Sequence, residues 1–237
     1  MVDFCDKFKK DIIEFAFTQS GTILNDNPTN VWYCWTPRYQ QYWTNLNDII
    51  SVCGMLGIKW LDDRQSEMIE RVKWLNTPDT IQQRYFFESH IDCIKQGFEP
   101  VESQIKEKLQ LLDREEIDRL NEALRCYLEG CNHAAIAMSV SAIEFRLLSL
   151  MNSKCPTAKL EELTLGRLIG EYLSNKQKYG SVIPEKHEPL LQHCNVYRIF
   201  SVHPKKERIT KAIATSIINM TFAFLLDEDM KRRTETK

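Results

Sequence analysis

Arg198 precedes His203 in the stretch "NVYRIFSVHPKKER", which runs from Asn195 to Arg208. The two side-chain types complement each other chemically. An imidazole titrates near neutral pH and can move a proton in either direction. A guanidinium keeps its charge and offers forked donors to an oxyanion as charge builds on it. The spacing alone is not specific. With 13 arginines and five histidines, a chance match is expected, and Arg84 and His90 in "RYFFESH" supply one. The surroundings separate the two pairs. Arg84 and His90 fall in mid-helix on different faces. His203 stands directly before Pro204, and a residue in that position is pushed out of the helical region. The chain can therefore turn at Val202 and His203 and bring the ring back towards the Arg198 side. Arg198, Lys205, Lys206, Arg208 and Lys211 form a local excess of bases, opposed in that segment only by Glu207.

The elements that must carry these residues read as helices. Glycine and proline number eight each and sit mostly between periodic segments, and no β-alternation extends beyond a few residues. The expected fold class is all-α. Asp113 and Glu116 have capping-box spacing ahead of Ile117, Leu120, Leu124 and Leu128, and Gly130 ends that helix. Asn132 is expected to cap the next, "HAAIAMSVSAIEFRLLSLM", which is apolar on nearly every face and so belongs at the centre of a bundle. Thr164 caps "LGRLIGEYL". Pro189 opens "PLLQHCNVYRIFSV", which Pro204 stops. A last helix is expected over about 206–228, with Ile209, Ile213, Ile217, Met220 and Phe224 as its stripe, before a frayed basic tail.

The first part of the chain differs in composition. Helices are expected over about 3–18, from near Pro37 through Cys53, over 61–75, and from Pro78 to Gly97. All five tryptophans fall here, and Trp32, Tyr33, Trp35, Tyr39, Tyr42 and Trp43 form a cluster that reads as core, as a base-stacking surface or as a protein-binding one. "EPVE" at 99–102 marks the expected boundary between an aromatic-rich domain, 1–100, and a helical bundle, 101–237.

Bulk composition excludes several classes. The 237 residues carry 31 basic and 33 acidic side chains, so no global field marks a nucleic-acid or membrane-surface protein. Residues 1–100 carry 10 bases and 14 acids, against 21 and 19 in the rest. No uninterrupted apolar run reaches the roughly 18 residues that span a bilayer. The opening "MVDFCDKFKKDIIEF" does not read as a targeting segment. Eight dispersed cysteines with no CxxC pair point to reduced, mostly buried thiols in a cytoplasmic protein. Cys131 and His133 lie close but lack a second ligand pair, so no metal site and no cofactor are expected. His193 beside Cys194 has no third group to complete a nucleophile arrangement and reads as structural.

Residues 113–228 resemble a HEPN (higher eukaryotes and prokaryotes nucleotide-binding) domain, on four parts in order. "LNEALRCYLEGCNHAAIAMSVSAIEFRLLSLM" is similar to the family's first helical hairpin, and "LTLGRLIGEYL" to its third helix. "LLQHCNVYRIFSVHP" is similar to the helix with the Arg-x4-6-His motif, and "ITKAIATSIINMTFAFLL" to the closing helix. The resemblance covers about half the chain and implies a helical bundle that pairs as a homodimer. Catalytic members are metal-independent endoribonucleases, so Arg198 and His203 take the catalytic roles on single-stranded RNA, whose 2′-hydroxyl is its own nucleophile. Lys205, Lys206 and Arg208 would hold RNA phosphates with salt-sensitive, sequence-blind affinity. Glu144 would orient Arg198, with Arg146 and Arg167 as alternative partners for it. The setting implied is defence or a toxin–antitoxin system with an antitoxin or other protein partner. Non-catalytic members serve as dimerisation or nucleotide-binding modules. Two positions depart from the family pattern. Ile199 follows the motif arginine where a polar residue is common, and Lys205 stands where some toxin members carry a modifiable tyrosine.

Overall fold

The computed structural model describes residues 6, 10, 50–58, 100–156, 159–203, 209–227 and 229. The chain divides into two compact units, Met1–Lys106 and Glu107–Lys237. In the first, residues 50–55 are helical and bury Val52 and Cys53. Gly57 ends that segment at a φ of +67°, and the Ile58 N–H donates to the Cys53 carbonyl at 2.8 Å. The tryptophan cluster, the Arg84/His90 pair and most of the helices expected before residue 100 lie outside the described residues. Residues 100–109 are helical.

The described residues of the second unit are mostly helical, and no strand occurs among the described residues. Its elements are α1 (Arg114–Leu128), α2 (Asn132–Lys154), α3 (Leu165–Ser174), α4 (Glu188–Val202) and α5 (Lys211–Leu225), with a single 3-10 turn, Glu185–His187, leading into α4. α2 packs against each of the other four helices. It buries Ala135, Ile136, Val140, Ala142, Ile143, Leu147, Leu150 and Met151, which share one broad half of the helix, while Ala137, Met138, Ser141, Glu144, Phe145 and Leu148 on the other half are partly exposed. By length and apolar composition α2 would suffice to cross a membrane, which is weak evidence for a helix that packs against four neighbours.

Local chemistry sets the helix limits. At the start of α1 the Asp113 N–H donates to Glu116 Oε2 at 2.9 Å, the reciprocal bond of a capping box. At its end Gly130 adopts a φ of +78°, which a residue with a Cβ takes only at a cost. The Gly130 N–H donates to the Tyr127 carbonyl at 3.1 Å and the Cys131 N–H to the Cys126 carbonyl at 2.8 Å, which is a Schellman closure. Cys131, not Asn132, is the N-cap of α2, because its carbonyl takes the Ala135 N–H at 3.0 Å and Asn132 is already the first helical residue. α4 ends at Val202, ahead of Pro204. α5 begins at Lys211, five residues later than the sequence suggests. Thr210 is its cap, with Oγ1 accepting the Ile213 N–H at 3.3 Å. Ile209 is buried before the helix starts, and the buried face of α5 is Ala214, Ile217, Ile218, Thr221, Phe222, Phe224 and Leu225.

Candidate functional site

Arg198 sits one turn from the end of α4, on the side turned towards α2. Leu191 and Cys194 are the buried residues of α4, and Arg198 follows them at helical spacing. Its Nε lies 3.9 Å from Glu144 Oε2, with the two side chains 27 % and 26 % exposed. The distance is an ion pair without a hydrogen bond. Arg198 is thus the partner of Glu144. Arg167 is exposed on α3, and Arg146 is engaged elsewhere.

His203 is the C-cap of α4, at a φ of −112° and ψ of 138°, so the chain leaves the helix there in extended backbone. Its N–H donates to the Ile199 carbonyl at 3.1 Å, and the residue is exposed. Its side chain makes no hydrogen bond or ion pair among the described residues. The structure therefore brings Arg198 and Glu144 together and leaves His203 on the surface at the end of the same helix. Lys205, Lys206 and Arg208 lie outside the described residues.

The outer face of α4 is apolar and aromatic. Val196 is 44 % and Val202 52 % exposed. The His193 and Tyr197 rings meet edge to face at 4.9 Å, as do Tyr197 and Phe200 at 5.8 Å. His193 is exposed, and the neighbouring Cys194 is buried, which pushes its thiol up to about 12. Cys194 is thus inert at neutral pH. On the inner side, Gly166 of α3 faces the Asn195 amide: a Cβ there would stand 3.0 Å from Asn195 Nδ2. α3 and α4 approach closely at that point.

Two charged clusters had no simple sequence signal. Glu116 is fully buried, and its carboxylate takes Arg146 Nε and Nη2 at 2.5 Å each. This bidentate pair joins the first turn of α1 to the middle of α2. The capping-box spacing shows Glu116 to be near a helix start, but not that an arginine 30 residues on will claim both oxygens. The second cluster joins the turn before α4 to the end of α5. His187 is buried, with Nε2 2.7 Å from Asp227 Oδ2, and its ring meets Phe224 edge-on at 5.3 Å. Lys186 Nζ lies 2.6 Å from the same oxygen and 3.1 Å from Asp229 Oδ2. Burial pushes the Asp227 carboxyl up, but Lys186, His187 and the Asp229 N–H outweigh it and hold the group at about 2. Asp227 is remote in sequence from His187, and nothing in the residue pattern pairs them.

Among the described residues no group of three or more His, Cys, Asp or Glu side chains could hold a metal ion. No family model matches the chain, and no curated protein or solved structure matches it.

Proposed function

We propose that residues 113–228 form a HEPN-type module that cleaves single-stranded RNA without a metal, with Arg198 and His203 as the catalytic pair. One observation carries the reading. Arg198 is tethered to Glu144 through a single, partly exposed contact of 3.9 Å, while His203 is exposed at the end of the same helix. The first is an oriented cation that an incoming phosphate can still reach. The second is an imidazole open to solvent. In the reaction, His203 takes the proton of a ribose 2′-hydroxyl as its oxygen attacks the neighbouring phosphorus. Arg198 stabilises the charge that builds on the non-bridging oxygens. The bond to the 5′-oxygen breaks, leaving a 2′,3′-cyclic phosphate on one fragment and a 5′-hydroxyl on the other. Glu144 positions Arg198 and touches neither substrate nor proton. Lys205, Lys206 and Arg208 supply phosphate affinity in this reading, which also takes the protein as a cytoplasmic homodimer in a defence or toxin–antitoxin setting.

The experiment is cleavage of a mixed-sequence single-stranded RNA in EDTA by wild type, Arg198→Ala and His203→Ala. Wild type should cut, leaving cyclic phosphate ends, and each substitution should lower the rate by about 100-fold or more with the helical content unchanged. Cutting that survives both substitutions would refute the assignment of the pair.

A second reading has its own support. Val196 and Val202 are the large apolar side chains most exposed among the described residues, both on α4 and beside the motif. A module that uses this face only to pair with a second copy would dimerise and leave RNA intact. A concentration-dependent dimer with no cutting by wild type would favour it.

A further inference from the structure

The turn between α1 and α2 places two cysteines in one register. Counting back from Glu129, the C-cap of α1, Cys126 is the third residue inside the helix end, and Cys131 is the second beyond the cap. In a Schellman closure the side chains at these two positions face each other, usually as an apolar contact. The Cys131 N–H to Cys126 carbonyl bond of 2.8 Å closes this turn. That bond bounds the geometry. A Cα–O span of about 2.4 Å and an N–Cα bond of about 1.46 Å added to it keep the two Cα atoms within about 6.7 Å of each other. Disulfides span Cα separations of about 4.4–6.8 Å. Both thiols are free, Cys131 is exposed and Cys126 half-buried. Gly130, at positive φ, holds the turn in place between them.

We propose that Cys126 and Cys131 form a dithiol redox site that closes to an intramolecular disulfide when it meets a small-molecule disulfide oxidant. The proposal is independent of the reaction assigned to Arg198 and His203. The exchange runs in two displacements. The Cys131 thiolate attacks one sulfur of the oxidant, forming a mixed disulfide and releasing one thiolate. Cys126 then loses its proton to solvent and attacks the Cys131 sulfur, expelling the second thiolate. The protein loses two electrons and two protons, and the oxidant leaves as two thiols. The order follows from the surroundings. Cys126 Sγ lies 3.9 Å from Glu122 Oε1, and burial, the Glu122 carboxylate, Cys131 and Glu129 all raise its pKa. The exposed Cys131 therefore leads. Closure by Cys126 should be the slower step and, below its pKa, should speed up about tenfold for each unit that the pH rises.

The sequence lends itself to a direct test. Trypsin cuts after Arg125 and Arg146, so one peptide, 126–146, holds both cysteines and no other. The full chain is reduced, treated with oxidised glutathione under native conditions, blocked with an alkylating reagent and digested without reductant. The expected result is that peptide lighter by two hydrogens and carrying no alkyl group. In Cys126→Ser the same peptide should instead hold a glutathione adduct on Cys131. Gly130→Ala keeps both thiols but strains the turn, and should slow closure at least several-fold. Two stable glutathione adducts on the wild-type peptide, or pairing of either cysteine with a different one, would overturn the proposal. Equal closure rates in native buffer and in concentrated urea would also overturn it, because the folded turn would then contribute nothing.

Discussion

Replacing Arg146 with methionine leaves the Glu116 carboxylate fully buried, with the Asp113 N–H at 2.9 Å as its remaining hydrogen bond. The carboxylate loses both contacts to the guanidinium, and the Leu111 carbonyl loses Arg146 Nη2 at 3.4 Å. Breaking a buried ion pair by removing one partner costs about 3–5 kcal/mol, because the other charge stays out of water. Domains are stable by only about 5–15 kcal/mol. At about 2–4 °C per kcal/mol for a chain of this size, Tm should fall by about 10 °C. Far-ultraviolet circular dichroism during urea unfolding is the appropriate assay. All five tryptophans precede residue 100, so none lies within α1–α5, whereas the backbone signal follows those helices directly. The double variant Glu116→Met/Arg146→Met should recover most of the loss, because it removes both charges together. It still forfeits the cap bond of Asp113 and the contact to the Leu111 carbonyl, each worth about 1 kcal/mol or less. A loss under about 1 kcal/mol for Arg146→Met, or a double variant no better than the single, would refute the reasoning.

The remaining predictions concern single groups. Asp227 titrates at about 2 when folded, against 3.8 ordinarily, so its stabilisation is present above about pH 4 and is lost as pH falls through about 2. Asp227→Asn should flatten that acid limb by an amount on the order of 2 kcal/mol, read from urea midpoints across the pH range. Gly130→Ala forces a side chain into a φ of +78° and should cost about 1 kcal/mol, with no change in helical content. Thr210→Ala removes the bond that opens α5 and should cost about 1 kcal/mol, measured by the same unfolding curves. In the native protein at pH 8, Cys131 should alkylate readily while Cys194, held at about 12 by burial, stays unmodified until denaturant is added.

What could be read from the sequence follows the range of the interactions involved. Helix limits set by local chemistry were legible: Asp113 with Glu116, Gly130, and Pro204 after α4 all act within one turn of the chain. So was the central place of α2, an apolar helix against which the other four pack. α5 starts later than the sequence suggests because "KKER" satisfies helix propensity, whereas the Thr210 hydroxyl takes the Ile213 N–H and fixes the cap. The cap of α2 falls on Cys131 rather than Asn132 for a similar reason: the Schellman bond to Cys126 already sets the conformation of Cys131. Partners distant in sequence were not legible. Glu144 had three arginines within plausible reach, and only the packing of α4 on α2 selects Arg198 over Arg146 and Arg167. His187 with Asp227 has no pattern at all.

The two arginines that meet α2 glutamate or lie on α2 itself are held in physically different ways. Arg146 is nearly buried and bound by both oxygens of Glu116, so releasing it strands a charge in the core. Arg198 and Glu144 share one contact at 3.9 Å, and each side chain is about a quarter exposed. Pairs of that kind contribute about 0–1 kcal/mol, and salt weakens them. A phosphate dianion or diester that approaches Arg198 therefore competes with a weak partner, while Glu144 still limits where the guanidinium can point. This difference leads to a further test. Glu144→Gln keeps the shape of the side chain and removes its charge. In the reading proposed here it should leave stability within about 1 kcal/mol of wild type and tighten RNA phosphate binding at low salt. It should also lower the cleavage rate at saturating RNA, because the arginine is less well aimed. If Glu144→Gln instead destabilises the bundle as severely as Arg146→Met, the pair is structural, and Arg198 is not free to meet a substrate.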